Sequence, residues 1–138
     1  MPQQRAVRLE WTGERLQFTG GGTEPQTPSI AIDGDGAVGP SPMLALLLAA
    51  AGCSAADVVV ILKKMRIDLM HLSVEVEGTR RDEEPRRYTD LTFRFRAGGP
   101  NLARDQVERA VELSLGKYCS VVHSLAPDID VRHEIELV

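Results

Sequence analysis

From Met43 to Leu62 the chain is almost unbroken apolar side chain: Met-Leu-Ala-Leu-Leu-Leu-Ala-Ala-Ala-Gly-Cys-Ser-Ala-Ala-Asp-Val-Val-Val-Ile-Leu. A run this long approaches the roughly 20 residues that cross a bilayer. Gly52, Ser54 and Asp57 interrupt it, and a carboxylate in lipid is costly. The flanking segments also alternate like strands that need a helix to cover them. The run is therefore expected to be a core helix, with no membrane partner. Gly39-Pro40-Ser41-Pro42 is a helix entry, with Ser41 as N-cap and Pro42 at the first helical position. Lys63, Lys64 and Arg66 suit the negative end of the helix dipole, so the helix should end near Lys64. A helix apolar nearly all round must be covered on more than one side. One small chain does that poorly, which predicts a homodimer with the long helix buried.

The remaining periodicities complete the plan. Val7, Leu9 and Trp11 alternate with Arg8 and Glu10, as in a half-buried strand. Thr12-Gly13-Glu14 turns the chain into a second strand carrying Leu16 and Phe18. A glycine-rich loop leads to a short strand, Ser29 to Asp33, which Asp33-Gly34-Asp35-Gly36 ends. After the long helix, strands are expected from Leu72 to Thr79 and from Tyr88 to Arg96. Asn101 is placed to cap a helix from Leu102 to Leu115, with Gly116 as a left-handed C-cap. A short helix from Cys119 to Leu125 and a last strand, Ile129 to Val138, close the chain. The expectation is one α+β domain over residues 1–138, in the order β-β-β-α-β-β-α-α-β.

With 16 basic and 20 acidic residues the net charge is −4, which argues against a nucleic-acid partner. The N-terminus has no charged segment followed by a short apolar one, so a signal peptide is not expected. The expected compartment is the reducing cytoplasm, where two cysteines favour chemistry over a permanent crosslink. Cys53 lies in the apolar helix; Cys119 follows an amphipathic stretch at a predicted helix start. The two thiols could form a redox pair, because setting decides whether a cysteine becomes a nucleophilic thiolate. The competing reading of Cys53 is a small core residue.

Gly39-Pro-Ser-Pro-Met43, the apolar run into Gly52-Cys-Ser-Ala, Ile61-Leu-Lys-Lys-Met-Arg66, Val74-Glu-Val-Glu-Gly78 and Lys117-Tyr-Cys-Ser-Val121 together resemble the OsmC/Ohr family, in the branch with Ile-Leu-Lys-Lys after the first cysteine. The resemblance covers nearly the whole chain. It implies an intertwined α+β dimer with two active sites at the subunit interface, and a thiol-dependent peroxidase acting on organic hydroperoxides. Cys53 matches the attacking cysteine and Cys119 the resolving one, which would condense to a disulfide that a thiol or dithiol reductant reopens. No organic cofactor is implied. The apolar pocket would include Met43 and Leu47.

A thiolate in an apolar helix needs a cation, and none lies within one turn of Cys53, whereas Asp57 does, at i+4. By the resemblance the cation is an arginine of the N-terminal hairpin. Arg15 is the best positional match, with Arg8 and Arg5 as alternatives. One departure stands out. The family usually carries a glutamate near the start of the long helix to hold that arginine, and here the positions read Met43, Leu44, Ala45. Arg15 would then be held otherwise, for instance by Asp57, or not at all. The departure supports an alternative: an OsmC-fold ligand-binding or stress-associated protein with little peroxidase activity. Cys119, near Lys117 at a helix start, is expected to have a lowered pKa, with His123 one turn on as a possible contact. His71, His123, His133 and the two cysteines lack close ligand spacing, so no metal site is expected.

Overall fold

The structure, a computed structural model, describes residues 2–138. They form two compact units, the first ending at Leu46 and the second comprising Leu47–Val138. In the first, β1 (Val7–Trp11), β2 (Gln17–Gly22) and β3 (Ser29–Asp33) make an antiparallel sheet in that order. Trp11 lies opposite Phe18, and Gln17 opposite Asp33. Gly21 is needed for close approach, since a Cβ there would sit 2.5 Å from the Pro28 carbonyl oxygen. The half-buried β1 of the sequence reading is corrected: all five residues are exposed. Val7 and Trp11, both on the apolar side, remain 78% and 61% exposed, because no second layer within this unit covers that edge strand.

The second unit holds β4 (His71–Arg80), β5 (Tyr88–Gly98) and β6 (Asp130–Leu137), ordered β4-β5-β6. β4 pairs antiparallel to β5, and β6 runs parallel to it, with Asp90 opposite Asp130 and Ala97 opposite Leu137. A parallel pair needs a long crossover. It is supplied by α2 (Arg104–Leu113), a π-helical turn (Ser114–Tyr118) and α3 (Ser120–His123). Alternation along β5 puts Leu91, Phe93, Phe95 and Ala97 in the core, where Val107, Ala110 and Val111 of α2 and Ile135 of β6 are also buried.

Between the sheets in sequence lies α1 (Pro42–Lys64). Ser41 caps it, its Oγ accepting the Leu44 N–H at 3.3 Å. Its buried residues, Ala50, Ser54, Val58 and Leu62, fall four apart, which is one stripe along the helix. Leu48 and Val60 remain 61% and 50% exposed. The long buried helix of the sequence reading is thus buried along a single stripe in one chain. By length and composition alone α1 could also cross a membrane.

The element order agrees with the sequence reading, and the deviations cluster after β5. Asn101 does not cap α2; it takes φ 61°. The helix starts later, at Arg104, with Ala103 as N-cap, whose N–H donates to Gln106 Oε1 at 3.0 Å. Gly116 is not a left-handed C-cap. It sits inside the π-turn, where the Cys119 N–H reaches back to the Ser114 carbonyl at 2.7 Å.

Candidate thiol site

The π-turn brings the second thiol to the first. A π-turn takes in one residue more than an α-turn, and Cys119 emerges from it fully buried, facing α1. Cys53 Sγ, Cys119 Sγ and a carboxylate oxygen of Asp57 all lie within 4.8 Å of one another. Both cysteines are free thiols, Cys53 half-buried and Cys119 buried. The crossover is further tied to α1 by hydroxyls. Ser114 Oγ donates to Asp57 Oδ2 at 2.9 Å and lies 3.2 Å from Ser54 Oγ. Ser114 has one hydroxyl proton; with that proton on the carboxylate, Ser54 supplies the other bond. Ser54 and Ser114 are fully buried, and this pairing satisfies both.

The expected lowering of the Cys119 pKa is overturned: it is pushed up to about 11. Burial is the main cause, and the Val122 N–H offsets it only in part. The Cys119 S–H bond to the Cys53 sulfur, the negative charge of an ionised Cys53 and that of Asp57 raise it further. The two features expected to lower it are weak here. α3 has four residues and so little dipole, and the Lys117 ammonium sits 5.1 Å above the Tyr118 ring. His123 reaches Cys119 through its backbone N–H, which donates to the Cys119 carbonyl at 3.0 Å.

A pH effect follows. With a folded pKa near 11 against 9.0 for the unconstrained thiol, the contribution of Cys119 to stability is complete below pH 9 and is lost as pH rises through about 11, because the unfolded chain ionises first. Urea unfolding of reduced, chelator-treated protein across this range should reveal that loss, and Cys119→Ala should flatten the curve there.

A cleft of about 550 Å³ opens beside the site, lined mainly by apolar residues such as Val60, Ile61, Leu113 and Tyr118, with Asp57, Lys64 and Arg109 as its charged groups. Met43 lies in the first turn of α1 and Leu47 one turn further; both are half-buried.

Arg15 belongs to the first unit and is held twice. Its Nε donates to Asp35 Oδ2 at 3.1 Å, and its carbonyl accepts the Trp11 Nε1–H at 3.0 Å. Its φ of 45° is a left-handed backbone that a non-glycine residue seldom adopts. The carboxylate holding Arg15 is therefore Asp35, not the Asp57 suggested from sequence. Buried Asp33 shapes that loop, its carboxylate accepting the N–H groups of Asp35, Ala37 and Val38. Those bonds, first among them the one from Asp35, hold the Asp33 pKa below the usual carboxylate value despite burial. The sequence reading took Asp33-Gly34-Asp35-Gly36 only as the end of a strand. A paired Asp-Gly repeat after a strand was the available signal for a carboxylate-bearing loop.

Known proteins are similar to this chain in sequence or in fold. Protein YhfA of Escherichia coli K12 is 41% identical over 133 residues, 96% of this chain and 97% of its own length. The crystal structure of a hypothetical protein from Aquifex aeolicus VF5 superposes with a TM-score of 0.83 at 28% identity, covering 99% of each chain. OhrB, the organic hydroperoxide resistance protein of Bacillus subtilis, shares the fold with a TM-score of 0.64 at 14% identity, over 97% of this chain and 98% of its own. The profile of the OsmC-like protein family matches residues 33–134, a span that includes both cysteines and excludes Arg15. The chain belongs to the OsmC-like protein family.

Proposed function

We propose that this protein is a thiol-dependent peroxidase for organic hydroperoxides, working in the reducing cytoplasm. The observation that carries the reading is the sulfur pair: a half-buried Cys53 within 4.8 Å of a buried Cys119, in an OsmC-like fold. The Cys53 thiolate attacks the O–O bond. The sulfur takes the terminal OH as a sulfenic acid, and the other oxygen leaves as an alkoxide that takes a proton from solvent to give the alcohol. Cys119, held as a thiol, then attacks the sulfenic sulfur. The S–S bond forms and water departs. A dithiol reductant takes up the disulfide by exchange and leaves both cysteines reduced. Arg15, preorganised by Asp35, is assigned to stabilise the thiolate and the developing negative charge on the peroxide oxygen. Met43 and Leu47 are assigned to the apolar approach for the substrate.

The working form is a homodimer. The open face of α1, with Leu44, Leu48, Val59 and Val60 each at least 45% exposed, and the bare strand β1 support this, since large exposed apolar patches mark interfaces. Such an interface should bury at least about 2,000 Å² in total. Sedimentation should find a dimer at micromolar protein; a stable folded monomer there would exclude it.

A second reading, a ligand-binding or stress-associated protein with little peroxidase activity, draws on Asp57, whose charge beside both sulfurs opposes ionisation. Adding one equivalent of an organic hydroperoxide to reduced protein decides between them. The peroxidase loses both thiols together and yields a peptide pair linked through Cys53 and Cys119. An unchanged thiol titre leaves the second reading.

A further inference from the structure

Asp57 has no part in the thiol cycle above. Among the described residues it forms no salt bridge, yet it stands well before Lys63 and Lys64, the other charged residues of α1, with an oxygen within 4.8 Å of both sulfurs. That carboxylate is the oxygen donor a cation shared between the two sulfurs would need.

We propose that the reduced protein binds a thiophilic metal ion, Zn²⁺ fitting best, through Cys53 Sγ, Cys119 Sγ and a carboxylate oxygen of Asp57. Two sulfur donors select borderline and soft metals over Mg²⁺ and Ca²⁺. Zn–S bonds of about 2.3 Å and Zn–O bonds of about 2.0–2.2 Å place tetrahedral donors roughly 3.5–3.8 Å apart. Donors all within 4.8 Å of one another need to close by about 1.3 Å at most. The ligand carboxylate has an outer partner already in place: Ser114 donates to Asp57 Oδ2 and is itself paired with buried Ser54. Such partners orient a metal ligand. Three protein donors leave a fourth position. Asp57 lines the open cleft and Cys53 is only half-buried, so water or a small ligand can reach it. In binding, the metal displaces the two thiol protons. The proposal does not depend on the peroxidase reading, since no oxidation is involved. A Cys53–Cys119 disulfide would remove two of the three donors, so disulfide and metal exclude one another.

The test uses full-length, reduced, chelator-treated protein without any oxidant. Zn²⁺ affinity is read by competition with a chromophoric chelator. Cd²⁺ is read by its thiolate charge-transfer absorption. One equivalent per chain should bind, undisturbed by excess Mg²⁺ or Ca²⁺. Asp57→Asn should weaken Zn²⁺ at least about 10-fold and Ser114→Ala about 10-fold, in the range expected when a site's supporting groups are lost. Cys53→Ser should weaken it at least as much as Asp57→Asn and diminish the Cd²⁺ band. Failure of the reduced wild type to bind one equivalent would overturn the proposal. So would a folded Asp57→Asn with undiminished affinity. Should Asp57→Asn not fold, Cys53→Ser decides at a half-buried position, and unchanged affinity there is equally fatal. Because peroxide is never added, these outcomes are independent of whether the protein reduces hydroperoxides.

Discussion

Cys53→Ser should lose organic hydroperoxide consumption by at least about 10³-fold, since removing a nucleophile eliminates the covalent route. Cys119→Ser should behave differently. Its Cys53 can still attack, so one equivalent of hydroperoxide should be consumed rapidly. Turnover should then stop at a sulfenic acid that a sulfenate-specific carbon nucleophile labels. The difference follows from burial: Cys119 is fully inaccessible and has its pKa pushed up to about 11, whereas Cys53 is half-buried. Mass spectrometry of the oxidised variants assigns the order. Label on Cys119 in Cys53→Ser, after rapid consumption of one equivalent of hydroperoxide, would reverse the roles given to the two cysteines.

Arg15→Ala should slow the first oxidation of Cys53 by about 100-fold, the usual cost of deleting one preorganised donor to a developing anion. Arg8→Ala should have a much smaller effect. Asp35→Asn should fall between them, because the guanidinium remains but loses the carboxylate that orients it. Sedimentation should stay unchanged in all three, which separates chemistry from assembly. Stopped-flow oxidation under single-turnover conditions is the measurement. A wild-type rate in Arg15→Ala would move the role to Arg5 or Arg8.

Elements governed by a strong local pattern were legible in the sequence. The Met43–Leu62 run, capped by Ser41 and closed by Lys63 and Lys64, predicted α1 to its ends. The short strand at Ser29–Asp33 and the alternation from Tyr88 to Arg96 located β3 and β5. The segment after Gly98 was less legible, because long-range contacts decide its geometry. Asn101 and Gly116 each look like cap residues, but the backbone assigns them a loop and a π-turn. The Cys119 pKa failed for a related reason. Helix start and neighbouring lysine are local signals, whereas burial against α1 is not, and burial dominates. The Arg15–Asp35 pair was not legible because the resemblance pointed to a carboxylate at Met43–Ala45, whereas the loop after β3 brings Asp35, 20 positions from Arg15, to the guanidinium.

The π-turn at Ser114–Tyr118 bears on how such a chain can diverge. One residue more or less in that turn rotates the position that follows it by about 100°, the angle between successive helical positions. A single-codon insertion or deletion there swings the second thiol toward α1 or away from it, with α2 before the turn untouched and the loop between α3 and β6 free to absorb the change. Descent within such a fold can therefore convert a two-cysteine site to a one-cysteine site without substituting either cysteine.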